Sequence, residues 1–229
     1  MSQSPNNQQR HLITVTNPRS PISEAFRALR TNIDFSSVDE KIQVIMITSS
    51  GPEEGKSTVS ANLAAAYAQS DKKVLLIDGD LRKPTAHKTF KLSNRYGLSS
   101  LLSKQADLDD VVQDSGVPNL SLITSGPLPP NPAEMMASNR MTTVLQEMRE
   151  LFDIVIIDTP PLLAVTDAQI VASKSDGVIM VVSYGKVKRD IAMKAKSGLD
   201  RVGAKMLGVV LNNVKRKASE GYYYYYYGN

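Results

Sequence analysis

Apolar and polar positions change their period several times along this chain, and each change marks an element. "PISEAFRALRTNIDF" carries Ile22, Phe26, Leu29 and Ile33 at helical spacing, with Pro21 suited to a first helical position, so a helix is expected over residues 21–35. Apolar runs follow: "IQVIMIT", "KKVLLID", "NLSLIT", "FDIVIID", "DGVIMVVS" and "AKMLGVVLN". They are short, β-branched and apolar on both faces, which is the pattern of parallel strands covered by helices. Between them lie the helical patterns "KSTVSANLAAAYAQS", "AEMMASNRMTTVLQEMREL", "TDAQIVASK" and "RDIAMKAKSGLDRV". The alternation predicts an α/β fold, a doubly wound and mostly parallel sheet with helices on both faces. Residues 1–20 read as a polar arm, 21–214 as the folded domain and 215–229 as a flexible tail. "SGPLPPNPAE" reads as a proline-rich loop leading into a helix.

Composition narrows the class. A chain of 229 residues with 41% hydrophobic and 22% charged residues suits a globular domain with a full core. The absence of cysteine excludes disulfides, thiolate metal sites and iron–sulfur clusters. The start, "MSQSPNNQQR", has no apolar run, and no stretch approaches the ~18 apolar residues of a membrane span. A cytosolic chain is therefore expected, any membrane association coming from a partner or from surface charge. The net charge is +4, yet Lys186 to Lys217 holds ten basic against two acidic residues, a local +8. Such a stretch suits an acidic partner or an anionic lipid surface, or is a solvated helix face. Only Tyr184 lies nearby as an aromatic, so nucleic acid is not an expected partner.

The chemistry concentrates where strands end. "IQVIMIT" runs into "SSGPEEGKSTVSANLA", a strand, a small-residue turn and a helix. Backbone amides at a helix N-terminus can surround phosphate oxygens there, with the dipole adding to the attraction. The expected nucleotide loop comprises Ser50, Gly51, Pro52, Glu53, Glu54, Gly55, Lys56, Ser57 and Thr58. Gly55 permits close backbone approach, Lys56 reaches the β- and γ-phosphates, and Ser57 places its hydroxyl on Mg²⁺. The usual spacing puts a glycine at position 50, where this chain has Ser50 and then Gly51. "KVLLIDGDLRKP" ends a strand with Asp78 and Asp80, and "FDIVIIDTPP" ends another with Asp158. Three acids at strand ends beside a lysine-bearing loop supply the hard oxygens that Mg²⁺–ATP chemistry uses, although one of them could instead cap the following helix.

"VLLIDGDLRKPTAHKTF" resembles the second Walker A-type element of the bacterial tyrosine kinases, and "IVIIDTPP" resembles their Walker B. "SGPLPPNPAEMMAS" is similar to their proline-rich loop and helix, "EAFRALRTN" to their E-x-x-R-x-x-R oligomerisation helix, and the tail to their C-terminal tyrosine cluster. The likeness runs from about Ser20 to the end and is nearest to the free-standing kinase subunits of Gram-positive capsule and exopolysaccharide systems. It implies the P-loop architecture shared with MinD/ParA-like ATPases, with ATP and Mg²⁺ as cofactors. Lys56, Asp78, Asp80 and Asp158 would be catalytic, with Ser57, Asp78, Asp80 and Asp158 as the metal set. Asn212 would meet the adenine. The phosphorylated residues would be Tyr222, Tyr223, Tyr224, Tyr225, Tyr226 and Tyr227. Glu24 would pair with Arg27 or Arg30 of a neighbour in an octamer-like homo-oligomeric ring. The implied partners are a separate membrane-spanning activator, other protein substrates and a tyrosine phosphatase, with recruitment to the inner face of the plasma membrane.

Two other readings stay open. A MinD/ParA-like positioning ATPase would hydrolyse ATP without transfer to protein, but Ser49, Ser50 and Gly51 stand where such ATPases carry an extra lysine. A non-enzymatic nucleotide-sensing scaffold is the other. Arg82 is expected on phosphate or on a helix end. His11 and His87 show no ligand spacing, and Met135, Met136, Met141 and Met148 fall at core spacing.

Overall fold

A computed structural model describes residues 12–36 and 41–214. The strands are β1 (Val44–Ser49), β2 (Val74–Asp78), β3 (Val112–Val117), β4 (Leu120–Ile123), β5 (Ile154–Asp158), β6 (Gly177–Ser183) and β7 (Met206–Asn212). They form one seven-stranded sheet in the order β3-β4-β2-β5-β1-β6-β7. Every pairing is parallel except β3 with β4. The helices are α1 (Ile13–Thr16), α2 (Pro21–Phe35), α3 (Lys56–Ala68), α4 (Ala86–Phe90), α5 (Leu98–Leu102), α6 (Leu108–Val111), α7 (Pro132–Ala137), α8 (Asn139–Leu151), α9 (Asp167–Ala172) and α10 (Arg189–Asp200).

Alternation along the central strands builds two cores. Val44 and Met46 of β1 face one side of the sheet, with Met136, Met141, Val144 and Leu199 of the helices there. Ile45 and Ile47 face the other, against Val59, Leu63 and Tyr67 of α3. Helix α3 is buried at every position from Val59 to Ala68, because it is sandwiched between the sheet and α2. That explains its alanine-rich, all-round apolar sequence. Helix α2 starts where Ser20 accepts a hydrogen bond from the Ser23 amide and Pro21 takes the first turn.

Four local features differ from the sequence reading. Residues 112–117 form an antiparallel edge strand that no apolar run announced. The single helix expected over "AEMMASNRMTTVLQEMREL" is two, because Ser138 leaves the helical conformation and caps α8 by accepting from the Met141 amide. Strand β7 is not covered on both faces: as the sheet's other edge it leaves Val209 and Leu211 exposed. Within the expected polar arm, α1 docks on the domain, its buried Thr14 donating backbone and hydroxyl hydrogens to Asn62 Oδ1.

Candidate active site

Parallel register brings the acidic strand ends together. Asp78 of β2 lies opposite Asp158 of β5, and the turn after β2 swings Asp80 toward the start of α3. That turn is tight: a side chain on Gly79 would meet the Asp158 carbonyl oxygen at 2.9 Å. Lys56, the first residue of α3, reaches into this cluster. Its Nζ lies 3.0 Å from Asp80 Oδ2, 3.5 Å from Asp158 Oδ1 and 3.5 Å from Ser57 Oγ. Ser60, one turn along, donates to Asp158 Oδ1 at 3.3 Å. All three acids are buried.

The charges follow from that burial. Burial alone would lower the Lys56 pKa, but Asp158 and then Asp80 outweigh it and hold the ammonium above its ordinary value. Asp78 is pushed up to about 7, first by burial and then by the negative charge of Asp158 beside it. Its Oδ2 accepts from the Thr85 and Ala86 amides at 2.9 and 2.8 Å, so Asp78 also fixes the turn into α4. Asp80 Oδ1 accepts from the Lys83 amide at 2.9 Å, leaving Oδ2 to Lys56.

The loop between β1 and α3 is preorganised from beneath. Glu54 is buried and accepts from Ser50 Oγ at 2.5 Å, from the Gly51 amide and from the Ser183 amide of β6 at 3.4 Å. Its carboxylate thus ties the loop to the sheet, a role the motif alone did not reveal. Gly55 adopts φ +95°, and a Cβ there would fall 2.0 Å from Asn212 Nδ2. Asn212 donates to the Glu54 carbonyl at 2.9 Å, so the end of β7 rests on the loop.

Magnesium suits this set of oxygens. Ser57, Asp80 and Asp158 already surround one cation, the Lys56 ammonium, and Mg²⁺ commonly needs only one or two protein carboxylates besides phosphate and water. Among the described residues no group of three or more His, Asp or Glu side chains is arranged as a ready cage.

Other expected residues lie elsewhere. Arg82 pairs with Asp167 at the start of α9 through two bonds of 2.9 and 3.0 Å. On α2, Arg27 bonds Glu24 of its own chain at 2.8 Å and Arg30 donates to the Ala66 carbonyl at 2.8 Å. Met136, Met141 and Met148 are core residues, and Met135 packs against them. His87 is partly buried on α4. His11 and the tyrosines 222–227 lie outside the described residues. No helix among those described is long and apolar enough to cross a membrane.

Residues 42–189 match the family described as AAA domain. The chain is 49% identical over 207 residues to tyrosine-protein kinase YwqD of Bacillus subtilis (strain 168), covering 90% of this chain and 87% of that one. Among solved structures, the chimerical protein CapA2B2 superposes with a TM-score of 0.87 at 44% identity, covering 90% of each chain. The kinase domain of Escherichia coli tyrosine kinase ETK gives 0.85 at 36% identity, covering 90% of this chain and 83% of that one. MinD of Pyrococcus horikoshii, at 24% identity and a TM-score of 0.66 over 77% of this chain and 72% of that one, shares the fold.

Proposed function

The chain belongs to the bacterial tyrosine-protein kinases, and on that premise we propose that its acceptor is its own tyrosine tail and that the Lys56–Asp80–Asp158 cluster carries the transfer. The observation that supports this most is the partly buried ammonium held between two acids at the mouth of the loop. Lys56 turns to the β- and γ-phosphates of ATP, and the loop amides and α3 N-terminus hold the remaining phosphate oxygens. Ser57 and Asp80 would hold Mg²⁺, with Asp158 on its water shell; the ion supplies neutralisation of phosphate charge. The tyrosine oxygen bonds to the γ-phosphorus while the bond from that phosphorus to the β–γ bridging oxygen breaks. ADP leaves with the electron pair, and Asp78 takes the phenol proton. Asn212, already on the loop, contacts the adenine. Phosphoryl transfer depends chiefly on such positioning and charge neutralisation.

Reach is sufficient. Nine residues separate Asn212 from Tyr222, about 30 Å of extended chain, and Asn212 sits against the loop itself. The tail can therefore enter its own site or a neighbour's. In the ring reading, Glu24, half-exposed on α2, exchanges its internal Arg27 for an arginine of the next copy. Six phosphotyrosines add roughly −9 to −12 of charge, which reverses the chain's +4 and would loosen such a ring. Regulation of capsular or exopolysaccharide synthesis and export, a membrane-spanning activator, a phosphatase and recruitment to the inner membrane face complete the reading.

The test follows labelled phosphate from ATP with Mg²⁺, using the chain with and without residues 222–229. Label on protein that disappears with the tail supports the proposal. Free phosphate without protein label supports a MinD-like ATPase instead, and neither product supports a nucleotide-sensing scaffold.

A further inference from the structure

Beside the acid cluster, and separate from the phosphate loop, lies an open groove of about 580 Å³. One wall is the segment after Asp80, with Lys83, His87 and Lys88; the other is Asn94 with Pro127 and Leu128. No residue lining it is acidic. Among the described residues neither Lys83 nor Lys88 makes an ion pair, whereas Arg82 next to them is held by Asp167. The apolar wall is firmly built. Asn94 exchanges bonds with Gly126, donating to its carbonyl at 2.9 Å and accepting from its amide at 3.0 Å. Ser99 Oγ donates to the Pro127 carbonyl at 2.7 Å. Leu128 is nevertheless 62% exposed.

Cations opposite a rigid apolar wall match one kind of side chain: an aromatic ring that carries a dianion. We propose that this groove docks a phosphotyrosine of the C-terminal tail, so that each phosphate already transferred positions the next tyrosine at the Asp80 cluster. The volume lies in the range of ordinary ligand pockets. Lysines bind phosphate as point charges and tolerate the shifting register that a run of identical residues imposes. The occupant is within reach: fifteen residues follow Val214, roughly 50 Å when extended, and they hold six adjacent tyrosines. Location fits as well. The Lys83 amide is bonded to Asp80, so groove and acid cluster share one backbone segment, and the tail's root at Asn212 lies at the same carboxyl end of the parallel strands, with three strands between β7 and β2. Unmodified tyrosine carries no charge to meet the lysines, so the groove selects for product over substrate.

This inference rests on the autokinase reading, and two measurements separate their fates. The first is binding of a synthetic peptide spanning residues 218–229, with and without phosphate on Tyr227, to the full chain carrying Lys56→Met, which cannot turn over. The phosphopeptide is expected to bind at least about tenfold more tightly than the plain one. Lys83→Gln with Lys88→Gln should remove that preference, and Lys83→Arg with Lys88→Arg should keep it. Equal binding of both peptides, or a preference unchanged by the glutamines, overturns the proposal. The second is the distribution of phosphates per chain by intact mass during autophosphorylation of otherwise wild-type protein. With the groove intact, chains should pass quickly from none to several; with the glutamines, the first phosphate should arrive at the parent rate and singly modified chains accumulate. The same distribution in both overturns the groove and leaves the kinase standing. A tail that takes no phosphate in the parent chain overturns the autokinase reading instead.

Discussion

The Arg82–Asp167 pair ties the segment that presents Asp80 to α9, and its two ends are unequally exposed. The Asp167 side chain is 1% exposed and that of Arg82 40%. An exposed pair contributes ~0–1 kcal/mol, whereas stripping the partner from a buried charge costs about 3–5 kcal/mol. With one end wet, Arg82→Met should cost about 2–3 kcal/mol, because the buried carboxylate loses the two bonds of 2.9 and 3.0 Å. Asp167→Asn leaves the guanidinium free to turn to water and should cost about 1 kcal/mol. For a chain of 229 residues, at roughly 2–4 °C per kcal/mol, these become Tm losses of about 4–12 °C and 2–4 °C. The Arg82→Met, Asp167→Asn double variant should be more stable than Arg82→Met alone. Thermal unfolding of the three variants measures the coupling. Phosphate incorporation by Arg82→Met should fall about tenfold at saturating ATP, since the Asp80 segment loses its anchor. Equal single losses that simply add would refute this account of the pair.

Other perturbations probe the remaining supports. Gly55→Ala forces a Cβ against Asn212 at a φ of +95°, so a loss of about 2–4 kcal/mol and weaker ATP binding are expected; calorimetry and nucleotide titration check it. Lys56→Met removes the counter-charge of Asp80 and Asp158 and should lower protein labelling by at least ~100-fold. Asp176 clips α8 to β1 by accepting from Arg149 at 2.7 Å and from the Gln43 and Val44 amides. Burial would raise its pKa, but those bonds outweigh it and hold the carboxyl below its usual range. Its stabilising effect is therefore full above about pH 4 and lost as pH falls through the depressed folded value. The Tm gap between parent and Asp176→Asn should be constant near neutrality and close in acid.

The central strands and the phosphate loop were legible because they obey local rules. Buried parallel strands must be apolar at successive positions, and a phosphate loop must place glycine before its helix. Strand β3 was not legible: "VQDSGV" is a half-exposed edge, so nothing forces an apolar pattern on it. Ser138 was hidden because a lone serine inside an otherwise helix-forming stretch is equally consistent with an exposed mid-helix position and with a cap. Long-range polar ties leave no period at all. The Glu54 bonds beneath the loop and the Arg82–Asp167 bridge join residues up to 129 positions apart and emerge only in three dimensions. Asp78 shows how two readings of one acid coexist, for it both fixes the turn into α4 and faces Asp158.

In the proposed transfer Lys56 sits on the Asp80 and Ser57 oxygens that Mg²⁺ would take once ATP binds. Diffraction from crystals of the chain with Mg²⁺ and a non-hydrolysable ATP analogue tests this most directly. Lys56 Nζ should be found withdrawn from Asp80 onto the β- and γ-phosphate oxygens, with the metal against Asp80 and Ser57. Nucleotide bound while Lys56 still sits on Asp80, or a metal held away from both residues, would contradict it.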